Sequence, residues 1–74
     1  MKKYDKTKFG TRLRELREDR HISQDNLALE LQLSNASISN WETGKQIPTA
    51  EAIFKLADYF DVSADYLLGL IDEW

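Results

Sequence analysis

The sequence predicts an all-α domain of five short helices, on three observations. Apolar residues recur at three- and four-residue spacing and nowhere alternate, so the periodicity is helical and no strand is expected. Four of the periodic segments are preceded by Ser or Thr, whose side-chain oxygens favour helix starts. The 74 residues include one Pro and no Cys. No disulfide or Cys-based zinc site can hold the chain, so helix packing or a partner must. At this length one core is only just sufficient.

Taken in order, Phe9, Leu13 and Leu16 share one side of a helix from about residue 8 to 20, with Arg and Glu elsewhere. Asp5 or Thr7 caps it, Gly10 inside it costs roughly 1 kcal/mol against Ala, and His21 ends it. Ser23 caps a second helix, 24–31, with Leu27, Ala28 and Leu31 on its apolar side. Ser34 caps a third, 35–43, and Gly44 is placed as its left-handed stop. Lys45, Gln46, Ile47 and Pro48 form a loop. Thr49 caps a fourth helix with Ile53, Phe54, Leu56, Ala57 and Phe60 inward. Ser63 caps a short fifth containing Tyr66, Leu67 and Leu68. There is no internal repeat and no low-complexity segment.

The net charge of −3 conceals a polarity. Residues 1–21 carry eight Lys and Arg against Asp5, Glu15, Glu18 and Asp19, a net of +4. Residues 51–74 carry six carboxylates against Lys55, a net of −5. One electropositive pole can attract a polyanion whatever the overall charge, although such runs are often only solvated helix faces. MKKYDKTKF is basic but is followed by no apolar stretch, so it does not read as a signal peptide. No apolar run approaches the ~18 residues of a membrane span, and the absence of Cys fits a cytoplasmic protein.

The third helix is the informative one. At about 100° per residue, Ile38 lies at the centre of its inward edge with Trp41 and Glu42 beside it. Ala36, Asn40 and Thr43 face away, flanked by Ser37 and Ser39, and that face has no charge. An ordinary solvated face would carry Lys and Glu. Short side chains that donate and accept hydrogen bonds, or offer a methyl group, are what reads base edges in a major groove. Only Gln32, Leu33 and Ser34 separate this helix from the second, which makes the pair a helix-turn-helix.

Three stretches in order, RLRELRED, ISQDNLALELQLSNASISNWETGKQIP and KLADYFDVSADYLLG, carry a resemblance across about Phe9 to Gly69. The chain resembles the lambda-repressor-like (Cro-type, XRE-family) helix-turn-helix domain of phage and bacterial transcription regulators. The resemblance implies a five-helix domain whose third helix enters the major groove while the second crosses the backbone. By the same resemblance, Asn35, Ala36, Ser39 and Asn40 match base-facing positions. Gln24, Ser37, Thr43 and Lys45 match positions at the phosphates. Arg17 and Glu42 match a partly buried ion pair between the first and third helices. His21 and Gln32 stand where many relatives have Gly with positive φ. No Arg or Lys lies on the reading face, so the common bidentate contact to guanine is absent.

Other chemistries find little footing. His21 has no Cys or second His to join it in a metal site. Asp58, Asp61 and Asp65 lack the Gly and closing Glu of a calcium loop. No Ser–His–Asp set or Gly-rich phosphate loop is present, so no enzyme, cofactor or small-molecule site is expected. Two functions fit: a DNA-binding transcriptional regulator, with repression the expected sense, or a protein-interaction module, antitoxin-like, that uses the acidic pole. The division expected is a basic arm at 1–8, the DNA-binding domain at 9–69 and an apolar tail at 70–74. Leu70, Ile71 and Trp74 of that tail either form a homodimer contact, begin a linker or cover the chain's own core. The expected partners are a double-stranded DNA operator and a second copy, in the cytoplasm of a bacterial host.

Overall fold

In the computed structural model, which describes residues 1–73, five helices follow one another: α1 (Lys6–Asp19), α2 (Gln24–Leu31), α3 (Asn35–Glu42), α4 (Ala50–Phe60) and α5 (Ala64–Leu68). Among the described residues there is no strand, and no helix is long and apolar enough to cross a membrane.

Each helix opens where a side-chain oxygen accepts an amide that the helix itself leaves unbonded: Asp5, Ser23, Ser34, Thr49 and Ser63. Asp5 rather than Thr7 is the first cap, with its Oδ1 accepting from the Thr7 and Lys8 amides at 2.9 and 3.2 Å. A carboxylate there also meets the positive end of the helix dipole. The helix therefore starts at Lys6, two residues earlier than expected, and only residues 1–5 precede it as an arm.

The five helices end alike. His21, Gln32, Gly44, Asp61 and Gly69 all take left-handed φ values between 54° and 87°. The residue after each donates its amide to the carbonyl five positions back: Ile22 to Arg17, Leu33 to Ala28, Lys45 to Asn40, Val62 to Ala57 and Leu70 to Asp65. This closure satisfies carbonyls that a helix terminus would otherwise leave free. Ile22, Leu33 and Val62 then fold back against the core, so an apolar anchor helps hold a non-Gly residue in a conformation it disfavours.

The core gathers Phe9, Leu13, Leu27, Ile38, Trp41, Leu56, Phe60 and Leu67 from all five helices. Phe54, expected inward, is 73% exposed. On α4 the buried stripe is Ala52, Leu56 and Phe60 at four-residue steps, and Phe54 lies about 200° round the helix from Ala52. Gly10 also departs from expectation. A Cβ on it would lie 2.4 Å from the Trp41 carbonyl oxygen and 2.7 Å from that of Glu42. The residue that weakens α1 as a helix is what lets α1 meet the end of α3 backbone to backbone.

Arg12 was one more polar residue of an amphipathic pattern. In the fold it is buried. Its guanidinium lies 4.2 Å from the Tyr66 ring centroid and donates to the Tyr66 carbonyl. It also reaches the Ile71 carbonyl and the Asp72 carboxylate, both at 2.7 Å. Lys8 stands 3.6 Å from the same carboxylate, and the Lys2 ammonium donates to the Leu70 carbonyl. The tail is therefore strapped along α1 while Leu70 and Ile71 stay 47% and 43% exposed. Trp74, the third residue of that apolar set, lies outside the described residues.

Candidate nucleic-acid interface

The site is built on the short turn between α2 and α3. Gln32 takes the left-handed conformation and Leu33 tucks toward the core. Ser34 then restarts the helix, accepting the Ser37 amide at 3.0 Å while its hydroxyl donates to Ser37 Oγ at 2.8 Å. One turn with one half-buried apolar anchor holds the two helices at a steep angle.

On α3, Ile38, Trp41 and Glu42 are buried as expected, while Asn35 and Ala36 are exposed and Ser37, Ser39 and Asn40 half-buried. Among the described residues, the side chains of Asn35, Ser39 and Asn40 enter no hydrogen bond, so their donors and acceptors face outward available. Thr43 differs. It is exposed, just past the last turn of α3, and its hydroxyl donates to the Ser39 and Asn40 carbonyls at 3.0 and 3.3 Å. Lys45 follows, exposed and without an ion-pair partner among the described residues.

Behind that face α3 is anchored through Glu42, whose side chain is 0% exposed. Arg17 grips it with two bonds, Nε to Oε2 at 2.6 Å and Nη2 to Oε1 at 3.0 Å. Arg17 Nη1 also donates to the Ile22 carbonyl at 2.9 Å. The Gln24 amide donates to Glu42 Oε1 at 3.0 Å, and Arg14 Nε approaches the same oxygen at 3.5 Å. One carboxylate thus ties α1, α2 and α3 together. Burial pushes the Glu42 carboxyl up, but the hydrogen bonds from Arg17 and Gln24 and the charges of Arg17 and Arg14 outweigh it, leaving the group below its ordinary range. Arg17 is held above its own, chiefly by its hydrogen bond to Glu42.

The expected Arg17–Glu42 pair is thus formed. Gln24 lies beside it and steadies α3 directly. Missing from the sequence reading were Arg14 as a further cation at Glu42 and Gly10 as the point where α1 and α3 meet. Arg14 is spaced three residues before Arg17 on the same helix face, a signal that could have found it. Among the described residues no group of His, Asp or Glu is arranged to hold a metal ion.

The family described as "Helix-turn-helix" matches residues 13–67. The HTH-type transcriptional regulator ImmR of Bacillus subtilis is 37% identical over 61 residues, 82% of this chain and 48% of ImmR. Among solved structures, the restriction-modification controller protein C.AhdI of Aeromonas hydrophila superimposes with a TM-score of 0.78 at 36% identity, covering 85% of this chain and 96% of that one. The P22 c2 repressor, solved in complex with a synthetic operator, gives 0.77 at 35% identity over 81% of this chain and 91% of that one. The chain spans between 30% and 58% of the length of three curated relatives that it matches.

Proposed function

The chain belongs to the helix-turn-helix family of lambda-repressor-like transcription regulators, and from that premise we propose that it binds a double-stranded DNA operator sequence-specifically and acts as a repressor. One observation carries the reading: the outer face of α3 is uncharged, and its Asn35, Ser39 and Asn40 side chains are free to bond elsewhere. Asn40 projects from the middle of that face, where a carboxamide can pair with adenine N6 and N7 together. Asn35, near the helix start, makes a similar contact, Ser39 bonds a neighbouring base edge, and the Ala36 methyl meets a thymine methyl. With no arginine here, the base pairs under α3 are A·T.

Gln24, Ser37 and Lys45 hold the sugar–phosphate backbone on either side of the groove. Gln24 can do so while bonded to Glu42, because a carboxamide nitrogen has two hydrogens and Glu42 takes one. Thr43 joins them after its hydroxyl turns away from the α3 carbonyls. A single domain of this kind contacts too little DNA to find its site in a genome, so the working unit is a homodimer on half-sites about one helical turn apart. The exposed Leu70 and Ile71 supply the contact between copies. The interaction-module alternative is not favoured, because the family and its neighbours are transcription regulators. A protein of this kind works in the cytoplasm of a bacterial host.

The test is selection of bound sites from random duplex DNA, followed by Asn40→Ala on the selected operator and on single-base variants of it. The substitution is expected to weaken the best site by about 1–3 kcal/mol and to relax preference at one base pair. If preference at every position survives, Asn40 reads nothing. If no sequence is enriched, the regulator reading itself falls.

A further inference from the structure

The eight cations of the first 20 residues look alike in the sequence, but the fold employs most of them internally. Arg14 and Arg17 face Glu42. Arg12 and Lys8 face Asp72. Arg20 donates to the Tyr59 and Phe60 carbonyls at the end of α4, and Lys2 donates to the Leu70 carbonyl. Beyond them, Lys55 donates to the Leu31 carbonyl and approaches Glu51. Among the described residues only Lys3, Lys6 and Lys45 are left without such a partner.

Two of those three meet at one place. A Cβ built on Gly44 would lie 3.8 Å from Lys6 Cγ and 3.9 Å from Thr7 Oγ1. The first turn of α1 thus lies against the turn that closes α3, and Lys6 and Lys45 flank Gly44. Lys3 instead lines the groove between the arm and the tail, with Tyr4, Leu68 and Leu70. The amides of the α1 N-terminus are no substitute for these charges, because Asp5 already accepts from Thr7 and Lys8.

We propose that Lys6 is a DNA-backbone residue, forming with Lys45 a two-lysine clamp on phosphate beside the C-terminal end of α3. The clamp rests on the reading of α3 as the groove helix. It makes α1 a DNA-contacting element at its first turn, and it ties the clamp to the depth at which α3 sits. Because both members are exposed ammonium groups, each phosphate they neutralise releases counterions, and the contact is independent of base sequence.

The experiment measures the salt dependence of binding to the selected operator and to a short random-sequence duplex, for the parent and for Lys6→Ala, Lys45→Ala, the double variant, Lys3→Ala and Lys6→Arg. Lys6→Ala and Lys45→Ala should each lower the slope of log affinity against log salt by about 0.9, and the double variant by about twice that. Both DNAs should weaken by the same factor, Lys6→Arg should restore the slope, and Lys3→Ala should leave it as in the parent. A slope unchanged in Lys6→Ala, while Lys45→Ala lowers it, overturns the clamp and leaves α3 as the groove helix. An equal loss in Lys3→Ala also overturns it, because a diffuse basic pole would then explain the effect. A parent that binds neither DNA overturns both.

Discussion

Glu42 takes a negative charge fully out of water, and the fold answers with Arg17, Arg14 and Gln24 from two other helices. Removing one partner of such a pair strands the other's charge in a poor solvent. Glu42→Ala is therefore expected to destabilise the domain by about 3–5 kcal/mol in urea melts. Replacing Arg17 and Glu42 together with apolar residues should hurt less than Glu42→Ala alone. The pH dependence has a definite sign. A carboxyl whose folded pKa is depressed contributes stability above its unfolded pKa and loses it as pH falls through the folded value. Stability should therefore decline on the acid side of the ordinary carboxylate range, and Glu42→Gln should flatten that decline. Gly10 is as demanding for a different reason, because the atoms a methyl group would strike are backbone oxygens that cannot rotate aside. Gly10→Ala, a gain in any isolated helix, should here destabilise by about 3 kcal/mol. An unaltered melt in that variant would mean that α1 can move off α3 freely.

Helix endings and the tail show how short elements are held. An L-residue in the left-handed conformation costs about 1–2 kcal/mol, part of which Gly returns through its looser unfolded chain. Gln32→Gly should consequently stabilise by roughly 0.5–1 kcal/mol, and a calorimetric Tm at or below the parent's would show that Gln32 is not strained. The tail depends on Arg12, which bonds the last turn of α5, the Ile71 carbonyl and Asp72 at once. Arg12→Met keeps much of the apolar stem and removes every one of those bonds. Residues 70–73 should then be cut more readily in limited proteolysis while α1–α4 stay protected. The hydrogen bond from Arg12, with the Lys8 charge, holds the Asp72 carboxyl below its ordinary range. Protonating Asp72 in acid should accordingly weaken the strap.

For the molecule entire, what matters is which surface is left over. Once the strap is in place, Leu70 and Ile71 remain half-exposed beside the carboxylates of Asp72 and Glu73, and this is where the proposed contact between copies lies. In sedimentation the protein is expected to associate as concentration rises, and Leu70→Glu with Ile71→Glu should hold it monomeric with its thermal melt nearly unchanged. The paired operator should lose far more affinity than an isolated half-site in that variant. A parent that stays monomeric at high concentration, with and without DNA, rules the contact out.

Helix number, helix starts and the inward edge of α3 were legible in the linear order of residues. These three follow from local rules: a cap accepts amides two or three residues on, and side chains at three- and four-residue spacing share a face. The Arg17–Glu42 pair, 25 residues apart, was legible only through the family resemblance. Ala36, Ser39 and Asn40 stood out because a face without charge is visible on a helical wheel, whereas Asn35 was singled out only by the family resemblance. The rest depends on groups brought together from far along the chain. Phe54 is as apolar as Phe60, and only the direction from which α2 and α5 approach α4 leaves it in water. Gly10 is a flaw in α1 until the end of α3 lies 2.4 Å from where its methyl group would be. Arg12 and Lys6 carry the same charge six residues apart, yet Arg12 is buried under the tail and Lys6 stands free beside Gly44. Local sequence selects the helices and their faces, but the neighbours of a charge are set by which helices cross and how closely.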